Sequence, residues 1–261
     1  MANRREEERE RLRQAREQRE TKQSRSDRRR LMLGYGIAGV IGVIVLVGIV
    51  VAVVSSLGSN DGGKAHINLA SGSTNGIEPD LREGPEPPAV KVADMKEAVK
   101  GAGCDLRMEL RDEGKNHLPV TATEPSYSTN PPVSGDHVEP PYQEADGAYS
   151  ESVKPLFYLH SLEHGRMAIM YSPDLDEAAQ EELKGLYDTL YAATLLFPND
   201  KMPYEVAATT WTNLMGCDEY KGAATLDAIR AFGKETWGQY GNEPVAAFTF
   251  TGPSPESPAL K

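Results

Sequence analysis

The sequence predicts an α+β fold: a compact single domain with a small, mainly antiparallel sheet and packed helices, preceded by one transmembrane helix. Three observations predict it. In the C-terminal half, stretches with strand-like alternation and stretches with helical periodicity succeed one another as strand, helix, strand, helix, strand. Residues 31–57 carry no charge at all. Residues 1–30 carry net +5 and residues 58–261 net −16, so the overall −11 describes neither flank.

The uncharged stretch, Leu31 to Leu57, makes about 40 Å of helix at 1.5 Å per residue, more than the roughly 30 Å of a hydrocarbon core. A cleaved signal peptide would have an apolar region of only about 7–15 residues, so the length favours an uncleaved anchor. Arg28-Arg29-Arg30 abut its N-terminal side, whereas Gly58 to Gly63 carry only Asp61. The N-terminus is therefore expected in the cytoplasm and the C-terminal domain outside the cell membrane. Residues 1–30 form the charged cytoplasmic arm, with Glu7 and Arg11 four apart and almost no apolar face. Its basic end suits anionic headgroups, so the lipid bilayer is the first expected partner and an envelope protein the second. Nucleic acid is excluded, because the long acidic remainder lacks clustered Lys/Arg to displace counterions from phosphates.

Residues 58–88 contain six Gly and four Pro without apolar periodicity and are expected to be a flexible linker, with the isolated His66 inside it. The domain is expected over residues 89–251. Val92 to Lys100 reads as a short helix stopped by Gly101 and Gly103. Arg166 to Tyr171 reads as a strand, since Met167, Ile169 and Tyr171 alternate. Asp174-x-x-Glu177 resembles a capping box, and Ala179, Leu183, Leu186 and Leu190 recur at helical intervals, so Asp174 to Tyr191 is an amphipathic helix. Glu205 to Thr212 and Val245 to Thr251 read as strands, and Ala223 to Phe232 as a helix between them. Residues 252–261, with three prolines, are expected to be a disordered tail.

Cys104 and Cys217 are the two cysteines. Outside the cytoplasm a disulfide persists, which favours a structural bridge over two thiol ligands. Four of the five histidines, His117, His137, His160 and His164, fall within 48 residues. Imidazole is a common ligand for zinc and copper, so these four are the candidate ligands of a Zn or Cu ion, with Glu163 orienting a histidine from behind. Met167 and Met170 read as core residues of an apolar strand. The alternative is that the histidines only brace their loops and the domain is a non-catalytic scaffolding or docking module. His160-x-x-Glu163-His164 also matches the H-x-x-E-H string of inverted zinc peptidases, in which both histidines hold the metal and the Glu activates water. That motif needs a sustained helix, yet Leu156 to Leu159 reads equally well as a strand and Gly165 ends any helix. A metal-dependent hydrolase is accordingly the runner-up, and no catalytic residue is assigned.

Asn130-Pro131-Pro132-x-Ser134-Gly135-x-His137, Gly147-x-Tyr149 and His160-Ser161-Leu162-Glu163-His164-Gly165, followed by Tyr171 and Trp211, resemble the DUF3105 family, a domain of unknown function. The resemblance runs from roughly Cys104 to Pro244. It implies an extracytoplasmic domain, frequently tethered by one N-terminal membrane helix, and supplies no reaction, substrate or cofactor. Asp136 stands where the resemblance leads one to expect proline.

Overall fold

The computed structural model describes residues 67–243, apart from residue 70 and residues 191–193. The expected cytoplasmic arm 1–30, membrane span 31–57, strand Val245 to Thr251 and tail 252–261 lie outside the described residues, as does the first part of the expected linker. Among the described residues, no helix is long and apolar enough to cross a membrane. In chain order the elements are α1 (Met95–Ala102), β1 (Cys104–Arg107), β2 (His117–Leu118), β3 (His137–Val138), β4 (Gly147–Ala148), α2 (Pro155–Glu163), β5 (Met167–Tyr171), α3 (Glu177–Leu190), β6 (Thr194–Pro198), β7 (Val206–Thr210), β8 (Asn213–Cys217) and α4 (Ala223–Thr236).

Local chemistry sets the helix ends. The Asp94 carboxylate accepts from the Glu97 N–H and starts α1, later than the expected Val92. Gly103, at φ 73°, stops it in the left-handed conformation that a glycine adopts without strain. The expected helix from Ala223 runs past Phe232 to Thr236.

Six strands form one sheet in the order β1-β8-β7-β5-β6-β4, and β2 pairs with β3 separately. The expectation of a small, mainly antiparallel sheet is corrected to a mixed one. β1–β8, β8–β7 and β7–β5 are antiparallel, whereas β5–β6 and β6–β4 are parallel. The cause is α3, which intervenes between β5 and β6 in the chain: a crossover helix lets neighbouring strands run the same way. The expected single strand Glu205 to Thr212 is corrected too. β7 ends at Thr210, Trp211 and Thr212 turn the chain, and β8 returns with Asn213 opposite Thr210. Thr212 sits at φ 63°, an uncommon state for a β-branched residue, and its N–H donates to the Val133 carbonyl.

β5 is buried along its whole length because the sheet is covered on both faces. Met167, Ile169 and Tyr171 join a core with Leu183, Leu186 and Leu190 of α3 and Ile229 and Phe232 of α4. Ala168 and Met170 join the opposite core with Leu159 and Leu162 of α2 and with Trp211. Each fully buried Leu contributes roughly 1.5–3 kcal/mol, so the stripe read on α3 accounts for much of what holds that helix in place.

The described part of the expected flexible linker lies along the domain instead. Asn68, Ser73 and Pro79 form bridges with Asp146, Glu144 and Tyr149, and Asp80 is buried beside Arg82. Gly84 and Gly185 of α3 meet backbone to backbone; a Cβ on Gly185 would lie 1.9 Å from the Pro85 carbonyl oxygen. Composition could not reveal this strap, because its partners are sixty or more residues away. At the far edge, the disulfide joins Cys104 to Cys217, directly opposite each other in the β1–β8 register with Cα atoms 4.1 Å apart.

Candidate metal centre

Two local structures converge. Pro155 occupies the first turn of α2, a position for which its fixed φ is preorganised, and the ambiguous Leu156 to Leu159 stretch is helical. His160 and Glu163, three residues apart on that helix, share a face. The second structure is the parallel pair of β2 and β3, whose register sets His117 opposite His137. Asp136 fastens it: its Oδ1 accepts from both the backbone N–H and the side-chain Nδ2 of Asn116. Gly135 precedes them at φ 132°, and a Cβ there would meet the Tyr127 ring at 2.7 Å, so the turn admits only glycine.

The donor atoms of His117, His137, His160 and Glu163 all lie within 4.8 Å of one another. Glu163 Oε2 is 3.0 Å from His137 Nε2 and 3.5 Å from His117 Nε2. The ring centroids of His117, His137 and His160 are 4.7 to 5.1 Å apart. His137, His160 and Glu163 are buried, and His117, with 36 % of its side chain exposed, is the member of the cluster nearest solvent.

Hydrogen bonds to backbone carbonyls orient two of the rings. His137 Nδ1 lies 2.8 Å from the Gly135 carbonyl oxygen, and His160 Nδ1 lies 2.7 Å from that of Val138. A carbonyl oxygen only accepts, so each Nδ1 carries a hydrogen and each ring turns its Nε2 toward the cluster. His160 Nε2 is buried without a hydrogen-bond partner. His137 Nε2 lies 3.0 Å from Glu163 Oε2, a separation that either a proton or a metal cation can bridge. Backbone carbonyls holding the remote nitrogen are the usual support of a metal-ligating imidazole.

Burial, then the neighbouring rings of His137, His164 and His117, push His160 down to about 3. For Glu163 burial works upward, but the hydrogen bond from His137 and the charges of the histidines outweigh it and hold the carboxyl below its ordinary value. Near neutral pH the cluster thus offers a neutral His160 and an ionised Glu163, both in the form that binds cations.

The expected set is therefore brought together with one exchange. Glu163, expected behind the ligands, contributes a donor atom to the cluster, and His164 does not. α2 ends at Glu163, and His164, as its C-cap, turns Nδ1 toward Glu243 Oε2 at 3.4 Å while its ring lies over His160 at 4.8 Å. Burial lowers His164 to about 4, with the Arg166 charge adding to it. His164 is not among the four converging residues, whereas the peptidase motif has both histidines on the metal and a free Glu. Met167 and Met170 lie in the two cores, Met170 Sδ receiving the Asn199 side-chain amide at 3.4 Å, so neither joins the cluster.

Sequence reasoning missed the outer supports. The Trp211 indole N–H donates to Asp112 Oδ2 at 3.4 Å, and its ring stands edge-on to His137 at 5.8 Å. Asn242 Nδ2 reaches both Asp112 Oδ2 and Glu163 Oε1 at 3.5 Å. Nothing local in the sequence marks Asp112 or Asn242, which are 130 residues apart.

No curated protein and no solved structure matches the chain. Residues 120–247 match a family described as a protein of unknown function, DUF3105; the match holds His137, His160, Glu163 and His164 and begins just after His117.

Proposed function

From a chain whose residues 120–247 form a DUF3105 domain, we propose a metal-binding function: His117, His137, His160 and Glu163 hold one divalent transition-metal ion, Zn²⁺ or Cu²⁺. The observation that carries this reading is the convergence of donor atoms from His117, His137, His160 and Glu163 within 4.8 Å of one another, with the buried His160 Nε2 lacking any hydrogen-bond partner. Tetrahedral zinc with ligands at about 2.0–2.1 Å needs donors roughly 3.3 Å apart, and the 3.0 and 3.5 Å separations at Glu163 bracket that value. Three imidazole nitrogens and a carboxylate, without sulfur, suit the borderline divalent ions rather than Cu(I).

The reading places this domain outside the cytoplasm, anchored in the bilayer by residues 31–57 with the arm 1–30 inside. The Cys104–Cys217 disulfide supports that compartment, since such bonds persist where the environment is oxidising. No reaction is assigned. The test is elemental analysis of the purified full-length protein after exposure to micromolar zinc or copper. Wild type and His164→Ala are expected to retain one equivalent, and His160→Ala and Glu163→Gln to lose it. A wild type that retains no metal sinks the reading and returns the domain to a docking role toward an envelope protein.

A further inference from the structure

The segment from Gly238 to Glu243 is laid against the end of α2. The Gly238 N–H donates to the Gly165 carbonyl at 2.8 Å and the Glu243 N–H to the Glu163 carbonyl at 3.3 Å. Between them Gly241, at φ 119°, lies so close that a Cβ on it would stand 2.1 Å from the Glu163 carbonyl oxygen. These contacts bring Asn242 to the Glu163 carboxylate.

The two oxygens of that carboxylate have different neighbours. Oε2 faces the cluster, with Nε2 of His137 at 3.0 Å and of His117 at 3.5 Å. Oε1 receives the Asn242 amide, whose Nδ2 lies 3.5 Å from it and 3.5 Å from Asp112 Oδ2. Nδ2 carries two hydrogens and an ionised carboxylate only accepts, so one hydrogen is available to each acid. Both ends of this bridge are held. Lys115 Nζ donates to Asn242 Oδ1 at 3.5 Å, which turns Nδ2 toward the acids, and the buried Trp211 indole N–H donates to Asp112 Oδ2 at 3.4 Å.

We infer that Asn242 is a positioning residue of the metal centre, holding Oε1 aside so that Glu163 meets the ion through Oε2 alone. On the metal-binding reading, on which this assignment rests, the contact sets the coordination number. A carboxylate can bind a metal through one oxygen or both. One oxygen with three imidazole nitrogens completes the four-coordinate tetrahedral shell of a structural zinc site, whereas both oxygens would make five donors. Asn242 thereby decides between a closed tetrahedral site and a five-coordinate one.

Cobalt(II) reports this geometry, because its visible absorption is much stronger in a tetrahedral than in a five-coordinate site. The full-length protein is titrated with cobalt(II) chloride as wild type, Asn242→Ala and Asn242→Asp. The Asp variant keeps the shape of Asn but cannot donate, and Asn242 is exposed, so neither change removes packing from the core. Wild type is expected to give the intense tetrahedral bands at one equivalent. Both variants are expected to bind about 10–100-fold more weakly, as when an outer hydrogen-bond partner of a ligand is lost, with weaker and shifted bands. Variant bands superimposable on those of wild type overturn the role of Asn242 while leaving the metal reading in place. A wild type that saturates with five-coordinate bands overturns the one-oxygen arrangement, and one that takes up no cobalt overturns both.

Discussion

Two buried imidazoles define the chemistry at the scale of the residue. His160 and His164 stay neutral in the folded protein down to about 3 and about 4, whereas an unfolded chain protonates them near pH 6.5. Within that window the unfolded state binds more protons, so the stability contributed by the neutral rings is complete above about pH 6.5 and is lost as pH falls toward the folded values. Urea unfolding of the metal-free protein is expected to show a midpoint that drops between about pH 6.5 and pH 4. The drop should be shallower in His160→Asn. An unchanged profile in that variant would mean that His160 is not held neutral. The type of each site residue was legible in the sequence, since four histidines in a short stretch need no geometry to be noticed. Which acid or histidine faces inward was not, because that depends on α2 ending between Glu163 and His164.

At the scale of the element, the decisive one is the two-residue pairing of β2 with β3. Such a short ladder is marginal by itself, and Asp136 supplies what the backbone cannot, two hydrogen bonds to Asn116 that bring His117 alongside His137. The departure from the expected proline at position 136 therefore has a structural use in this chain. Asp136→Ala is expected to lower metal affinity about 10–100-fold, the usual effect of removing a support behind a ligand, with the far-ultraviolet circular dichroism unchanged. Metal titration of the variant checks it, and full affinity would show that β2 needs no such fastening. α1, α3, β5 and α4 were legible locally, α1 from its stop glycine and α3 from its apolar stripe, although α3 begins at Glu177 rather than at the expected Asp174. The hairpin of β7 and β8 was hidden because its turn, Trp211 and Thr212, carries no glycine or asparagine, and its strand β8 lacks an alternation signal when both faces are covered.

On the scale of the whole molecule, the ends of the described domain are tied back onto it. The strap from Asn68 to Pro79 is bridged to residues 144–149, and the disulfide closes a separation of 113 residues between one sheet edge and the strand beside it. Cys104→Ser/Cys217→Ser is expected to lower stability by about 2–5 kcal/mol, read as a shift in the chemical-unfolding midpoint, with metal binding retained because neither cysteine touches the cluster. Neither tie was derivable from local pattern: the strap reads as a linker by composition, and pairing two cysteines says nothing of register.

The manner in which the imidazoles are aimed also bears on how such a domain tolerates mutation. His137 and His160 take their direction from peptide carbonyls at Gly135 and Val138, and a carbonyl is the same whatever side chain its residue bears. Drift at position 138 among apolar residues of similar size therefore leaves the aim of His160 intact, whereas Gly135, tied by both its backbone angle and the Tyr127 ring, does not change without disturbing the imidazole it steers.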